Sequence, residues 1–330
     1  MKHKYLCQLV IFAMIISALS PAAAQSDGAG VARLWRVSYS GDASGTIIYI
    51  LAISHEGSAL EYDGYLDATV VPAFMASDVL HFEDGGKLAT NQQPECRRRL
   101  SSPAGVATLK QARAMVGRGA DAYFRQLATL LPPPAADPER IRSNAAAFTR
   151  SLSEFSVVQT LRAQFVYLQA HDAPGAPATP YPYRPIVEYL RQLKPGVAVE
   201  SMDAPMDLVD AYCSAGEKRS GIISEYMKTY DLDLLQKAPA ETGEAIARKI
   251  DEKIRAALAG ESIELDLYES AMTCTRTHRW EQRFKNLFDG KTHFLALGAA
   301  HLFPSTGPVT ACPGLFQDLR QSGFMVEKVR

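Results

Sequence analysis

Residues 33 to 82 show the spacing of strands on either side of one helix. Apolar and polar residues alternate from Arg33 to Ser40, and a β-branched apolar run from Thr46 to Leu51 follows a turn cluster of glycine, aspartate and serine. This pattern predicts a β-hairpin that leads into a buried strand. Helical spacing over 66–75 and an apolar run over 79–82 predict a helix and a second buried strand. Strand, helix and strand in this order indicate an α/β layer.

The middle of the chain has helical spacing. Between about residues 104 and 170, apolar residues recur at intervals of three and four, and β-branched runs are scarce. This spacing is typical of helices. Three prolines at 132–134 interrupt the pattern, and five prolines fall between 172 and 185. We therefore expect a helical insertion at about 104–195, with extended chain at the prolines.

The last third of the chain returns to strands. The pattern predicts a strand at 197–200, helices from about 207, a helix at 273–288, a strand at 293–297, a helix at 315–321 and a terminal strand at 324–329. Because strands occur at both ends and helices between them, we expect an α/β (α+β mixed) fold. Its central mixed sheet would be built from N- and C-terminal segments and would carry the inserted helical layer.

The first residues have the features of a bacterial secretory signal. A basic start with Lys2 and Lys4 precedes a mostly apolar stretch from Leu9 to Leu19, and alanines at 22–24 supply the small residues that a signal peptidase needs. We expect residues 1–24 to be a signal peptide and 25–330 to be a single domain. The apolar stretch is short, and no later stretch reaches about 18 consecutive apolar residues. The sequence thus predicts a periplasmic or secreted protein with no stable membrane anchor after cleavage.

Composition and charge narrow the function classes. Hydrophobic residues make up 47% of the 330 residues and charged residues 22%, which excludes fibrous and largely disordered chains. The 35 Lys and Arg against 36 Asp and Glu leave a formal charge of −1, so no overall positive field would attract nucleic acid. We therefore expect no nucleic-acid partner, and a substrate that local chemistry recognises.

Export also affects how the cysteines are interpreted. Four cysteines follow the predicted signal peptide, namely Cys96, Cys213, Cys274 and Cys312. An even number in an oxidising compartment favours disulfides, and three pairings are open. We favour Cys274 with Cys312, because both flank the C-terminal segment, which leaves Cys96 with Cys213. Buried free thiols are the alternative.

Three candidate metal ligands lie just after predicted strands. His55 follows the strand that begins at Ile47, Glu83 follows the strand at 79–82, and His301 comes shortly after 293–297. Ligands collect at the carboxyl ends of strands in open α/β sheets, because the loops diverge there. Two imidazoles and a carboxylate would form a three-ligand site for a divalent ion with a position left for water. Each residue also has a structural interpretation, in which the histidines bond to loop carbonyls and Glu83 caps a helix or lies in solvent.

Other polar residues are interpreted as lying outside this site. His81 faces the same side of its strand as Glu83, and we interpret it as core-facing and structural. We interpret His278 and His293 as uninvolved. The sequence contains no Gly-x-Ser-x-Gly motif and no nucleotide-binding loop, which disfavours a serine hydrolase.

Several segments occur in an order that is known from one protein family. Near the C-terminus they are Arg276 with Trp280 on a helix, a strand over 294–297, the turn Gly298-Ala299-Ala300-His301-Leu302 and the pair Gly323-Phe324. Near the N-terminus they are the strand Leu34–Val37, the segment Ile50–His55 and Glu83. In this order they resemble the TraB/GumN family, which includes the Tiki proteins, over essentially the whole mature chain.

The resemblance implies a metal-dependent protease built on two Gly-x-x-His motifs. His55, Glu83 and His301 would bind or surround a divalent ion of unknown identity. Glu83 would also take part in catalysis, and Arg276 would stabilise a developing oxyanion. Arg276 is preferred to Arg279 because of its spacing from the tryptophan. Hydrolysis of a peptide bond is the preferred function, and the substrate stays open.

Two positions depart from the family pattern. Ala52 replaces the glycine of the first Gly-x-x-His motif, and Thr277 replaces an asparagine after the arginine. If that glycine were needed for a positive φ, alanine would cost roughly 1 kcal/mol or more. These departures favour an alternative function, a non-catalytic envelope protein that binds a ligand or haem. A purely structural envelope protein is a third hypothesis.

Overall fold

A computed structural model describes most of the chain between residues 32 and 330. The described ranges are 32–54, 59–83, 96, 98–130, 143, 147, 152–159, 161, 186–204, 206–229, 243–265, 267–307 and 311–330. The predicted signal peptide at 1–24 and the proline segments at 132–134 and 172–185 lie outside these ranges.

Eight strands and nine α-helices have defined bounds in the described ranges. The strands are β1 (Leu34–Tyr39), β2 (Ile47–Ile53), β3 (Val79–Phe82), β4 (Ala198–Ser201), β5 (Ile263–Glu264), β6 (Thr292–Gly298), β7 (Ser305–Thr306) and β8 (Phe324–Lys328). The helices are α1 (Val71–Met75), α2 (Pro103–Leu130), α3 (Ile186–Leu193), α4 (Asp207–Ser214), α5 (Arg219–Thr229), α6 (Gly243–Leu258), α7 (Leu267–Phe284), α8 (Ala299–Leu302) and α9 (Leu315–Gln321). A π-helical turn, Leu66–Val70, leads into α1.

Six of the strands form one mixed sheet in the order β4-β3-β6-β2-β1-β8. β4, β3, β6 and β2 are parallel, whereas β1 is antiparallel to both β2 and β8. The C-terminal strand β6 thus lies between two N-terminal strands, with Ile53 opposite Gly298 and Phe82 opposite Ala296. The predicted α/β fold, with a central mixed sheet built from both ends of the chain, is confirmed. A separate two-stranded sheet joins β5 to β7.

Helices cover both faces of the sheet centre. On one face, Ile50 and Leu297 pack in a cluster with Trp280 and Phe284 of α7. On the other face, a second cluster joins β2, β3 and β6 to α1 and α3; its buried members include Leu51, Leu80, Phe294, Phe74 and Leu190. Strands that are buried on two faces read as continuous apolar runs rather than as alternating ones, which explains the patterns of β2 and β6.

The helical layer has a core of its own. Ala112 and Val116 of α2 pack with Ile222 and Ile223 of α5 in a third cluster. Residues 154–159 are also helical, and Phe155 and Val158 belong to this cluster. Together with α2 and α3, they are helical parts of the predicted insertion at about 104–195.

Two disulfides join parts of the chain that are distant in sequence. Cys96 pairs with Cys213, with a Cα separation of 5.4 Å, and Cys274 pairs with Cys312 at 5.5 Å. This is the favoured pairing of the three that the sequence left open. Two such bridges are compatible with a compartment outside the cytoplasm.

The helix that carries Arg276 differs from its predicted bounds. It was expected at 273–288, but α7 begins at Leu267 and ends at Phe284, and a 3-10 turn follows at Lys285–Leu287. The start is earlier because residues 267–272 contain no glycine or proline that would break a helix. The chain then turns at Gly290, whose φ is +85°.

None of the helices in the described ranges combines the length and apolar character that a membrane span requires.

Candidate active site

Polar side chains meet where four parallel strands end. Because β4, β3, β6 and β2 are adjacent and parallel, their carboxyl ends lie along one edge of the sheet. Asp203 follows β4, Glu83 follows β3 and His301 follows β6 on the one-turn helix α8. Ser54 is the last described residue after β2, so the third predicted ligand, His55, lies outside the described residues.

Glu83 links three elements through its carboxylate. Oε1 accepts a hydrogen bond from the backbone N–H of Gly298, at the end of β6. Oε2 lies 3.3 Å from Nη2 of Arg276 and 3.5 Å from Nε2 of His301. The structure therefore brings together the carboxylate, the histidine and the arginine that the sequence singled out.

Arg276 lies between two carboxylates. Its Nη2 donates to Oδ2 of Asp203 at 2.6 Å, and its Nε donates to the same oxygen at 3.1 Å. Its Nη1 lies 3.3 Å from Nε2 of His301, and the guanidinium stacks 5.1 Å from the centre of the Trp280 ring. With 11% of its side chain exposed, Arg276 is more accessible than Glu83 at 5%. A fixed cation at this position can stabilise negative charge that develops on a bound substrate.

Asp203 is a site residue that the sequence reasoning missed. Its carboxylate accepts from Arg276 and, at 2.6 Å, from Nε1 of Trp280. Burial raises the pKa of Asp203, and the neighbouring Arg276 guanidinium limits that rise. A signal was present, because the sequence predicts a strand at 197–200 and Asp203 follows it, as Glu83 follows the strand at 79–82. The rule that identified Glu83 would have identified Asp203 as well.

His301 is packed between α7 and the carboxylate. Its Nδ1 lies 2.8 Å from Oγ1 of Thr277, and its ring lies 4.3 Å from that of Trp280. The imidazole is buried, with 6% of the side chain exposed. Ring packing and the threonine contact fix the orientation of His301, so that Nε2 faces Glu83.

The other polar residues of α7 point elsewhere. Arg279 pairs with Asp207 at 2.9 Å, and Arg283 contacts the same carboxylate. His278 is 68% exposed and lies 3.6 Å from Glu281. The arginine at the site is therefore Arg276, the residue whose spacing from Trp280 marked it in the sequence.

Two further histidines, His81 and His293, lie buried in the sheet. Nε2 of His81 is 2.9 Å from Nδ1 of His293, and Nε2 of His293 is 2.9 Å from Asp289. Burial, together with the adjacent His293, lowers the pKa of His81 to about 4. His293 lies opposite Val79, the first residue of β3, whereas Glu83 follows the last. The pair thus belongs to the interior and sits towards the opposite end of these strands from the candidate site.

Ala52, which replaces the family glycine, lies in a regular strand. It pairs with Leu297 across β2 and β6 and is buried in the core. No non-glycine residue in the described ranges has a positive φ. The strain expected of an alanine forced into a positive φ therefore does not arise at this position.

The spacing of Glu83 and His301 suits two ligands of one metal ion. Two ligands bound about 2.1 Å from a tetrahedral ion lie about 3.4 Å apart, and Oε2 and Nε2 are separated by 3.5 Å. Within the described residues, no group of three or more His, Cys, Asp or Glu side chains is arranged to hold a metal ion. The described part of the site thus supplies two fitting donors, and the predicted third, His55, is outside it.

Comparisons with protein-family models, with curated proteins and with solved structures find no match to this chain. The resemblance to the TraB/GumN family therefore stays a prediction from the motifs.

Proposed function

We propose that this protein is an exported, metal-dependent hydrolase that cleaves peptide bonds. In this proposal, His55, Glu83 and His301 hold a divalent ion, and Arg276 binds the oxygen on which negative charge develops. The observation that carries the proposal is the 3.5 Å separation of Glu83 Oε2 and His301 Nε2 beside a fixed guanidinium. A divalent ion at this position would acidify a water molecule and polarise a carbonyl group.

In this proposal, the side chains around the site have different roles. Asp203 accepts hydrogen bonds from Arg276 and from the Trp280 ring on which the guanidinium stacks, which places Arg276 where it would stabilise developing charge. Glu83 is anchored by the Gly298 N–H through one oxygen and offers the other to the ion. Its part in catalysis would be to hold the ion next to Arg276, the most accessible of these side chains.

Metal analysis of the purified mature chain tests the proposal. We expect close to one divalent ion per molecule, and His301→Ala should release it because one ligand is lost. His278→Ala is the matched control, since it removes an exposed histidine of α7 and should leave the metal content unchanged. Cleavage of a peptide library should stop after chelation and in Glu83→Gln. A wild-type chain that binds no divalent ion, or cleavage that survives chelation, would contradict the proposal.

A second candidate function is non-catalytic binding of a ligand or haem. The observation that favours it is that Arg276 contacts Glu83, Asp203 and Nε2 of His301 at once, so Oε2 of Glu83 and Nε2 of His301 already have a cationic partner without an ion. This function predicts a Soret absorbance, or a co-purifying ligand, that His301→Ala removes, with no cleavage of any peptide. A spectrum without haem from a chain that cleaves peptides would exclude it.

A further inference from the structure

We propose that Thr277 is a positioning residue that sets the tautomer of His301. It holds the imidazole proton on Nδ1 and leaves Nε2 as the unprotonated nitrogen that faces Glu83 and Arg276. The tautomer follows from the hydrogen bonds alone, whereas its use in metal binding rests on the function proposed above.

The first argument counts the protons around the threonine hydroxyl. Oγ1 of Thr277 lies 2.8 Å from the carbonyl oxygen of Thr273 and 2.8 Å from Nδ1 of His301. Each of these short contacts requires a proton between the two atoms. A carbonyl has none to give, so the single hydroxyl proton of Thr277 is donated to Thr273. The proton in the second contact must therefore belong to Nδ1 of His301.

The second argument comes from the other side of the ring. Nε2 of His301 lies 3.3 Å from Nη1 of Arg276. A guanidinium group can donate hydrogen bonds but cannot accept them, so Nε2 must be the acceptor in this contact. Arg276 thus bridges two lone pairs, because its Nη2 donates to Glu83 at 3.3 Å. The contact with Thr277 and the contact with Arg276 lead independently to the same tautomer.

Burial strengthens the preference for this tautomer of His301. Thr277 and His301 are both buried, so water cannot easily replace either partner. In the opposite tautomer, the Nδ1 lone pair would face the lone pairs of Thr277, and a buried contact left unsatisfied in this way is unfavourable. A histidine that donates from one nitrogen is oriented to bind a cation through the other, which is the nitrogen that the proposed function requires.

The effect of a substitution at 277 on the His301 tautomer should therefore depend on whether the new side chain can accept a hydrogen bond. Thr277→Ser keeps a hydroxyl that can bond to both partners. Thr277→Asn, the residue in the family pattern, keeps an acceptor oxygen. Thr277→Val keeps the shape of threonine but removes the acceptor, so only the Arg276 contact still favours the Nδ1 tautomer and its population should fall. Val in place of Thr is nearly the same size, which limits the effect on packing.

Nitrogen NMR of the full mature chain, labelled with ¹⁵N-histidine and treated with chelator, tests the proposal. The His301 signals are assigned by their absence in His301→Ala. We expect a protonated Nδ1 and an unprotonated Nε2 in the wild type and in Thr277→Ser, and a shift towards the Nε2-protonated form in Thr277→Val. A wild-type His301 protonated on Nε2, or a tautomer that is the same in Thr277→Val, would overturn the proposal. A wild-type His301 protonated on Nε2 overturns the proposal even if the valine variant does not fold.

Metal titration separates this proposal from the proposed function. If both hold, Thr277→Val should bind Zn²⁺ on the order of 10–100-fold more weakly than the wild type, and Thr277→Ser should bind within a few-fold of it. If the wild type binds no metal but shows the Nδ1 tautomer, the metal function fails and the tautomer assignment stands.

Discussion

Arg276 is held in place by contacts with four side chains. Its guanidinium contacts Asp203, Glu83 and His301 and stacks on Trp280. A buried ion pair is strongly destabilised when one partner is removed, because the other charge stays in a site of low polarity. Asp203 is therefore the residue through which the stability of the site can be tested.

We expect Asp203→Asn to lower the free energy of unfolding by about 3 kcal/mol, since the amide leaves the Arg276 charge without its main partner. Denaturant unfolding at neutral pH measures this loss. Asp210→Asn is the matched control, because its carboxylate is 55% exposed and lies 3.9 Å from Arg279; it should change stability by about 0.5 kcal/mol or less. An equal effect of the two substitutions would show that Asp203 does not stabilise the site.

The buried pair His81 and His293 predicts a pH dependence of stability. The pKa of His81 falls from 6.5 to about 4 on folding, so between these values the unfolded chain binds a proton that the folded chain does not. The free energy of unfolding should therefore decrease as the pH falls from 6.5 to 4, by about 3 kcal/mol in total. The charged groups near the pair are Asp289, which bonds to His293, and Glu200, at 3.7 Å from His81.

Unfolding curves between pH 7 and 4 check this dependence. His81→Gln should flatten the slope across that window, because it removes the group that titrates. His278→Gln removes an exposed histidine and should leave the slope as in the wild type. A slope that is unchanged in His81→Gln would mean that other groups cause the acid sensitivity.

At the scale of elements, the position of α7 determines the site. Arg276, Thr277 and Trp280 all lie on this helix. Arg276 and Trp280 contact Asp203, which follows β4, and Thr277 contacts His301, which follows β6. The disulfide Cys274–Cys312 joins α7 to the segment between β7 and α9. Because Cys274 is only two residues from Arg276, this bridge restrains the part of α7 that faces the site.

Removing each disulfide separately should show that only Cys274–Cys312 restrains the site. The bridges close loops of 38 and 117 residues, for which we expect a loss of about 2–5 kcal/mol in unfolding free energy on replacement by alanine pairs. Only the Cys274→Ala/Cys312→Ala pair should also weaken metal binding or cleavage. The Cys96→Ala/Cys213→Ala pair, which opens the bridge in the helical layer, is the control. Equal loss of function in both would indicate a general effect of stability.

The helices and strands could be predicted because their apolar patterns are local in sequence. Several contacts of the site could not, because they join residues that are far apart in the chain. The apolar runs of β2, β3 and β6 and the positions of Glu83 and His301 after strands could be read from the sequence. Asp203 was missed because the strand-end rule was not applied to β4. The contacts of Thr277 with His301 and of Trp280 with Asp203 depend on how α7 docks on the sheet, which no spacing along the chain specifies.

At the scale of the whole molecule, the sheet is assembled from segments that are far apart in sequence. β6 pairs with β2 and β3, and β8 pairs with β1. The N-terminal strands therefore cannot complete their pairing from local sequence alone. The helical layer has its own core and lies between these segments in the chain, so it can form contacts before the sheet closes.

Because β6 lies at the centre of the sheet, the site can form only after the C-terminal part of the chain has been synthesised. Until the ribosome has made residues 292–302, β2 and β3 have no strand between them, and the turn that anchors Glu83 and supplies His301 does not exist. A chain that ends before residue 292 would carry His55, Glu83 and Arg276, but neither His301 nor the backbone N–H that anchors Glu83. Such a fragment would therefore contain no aligned site.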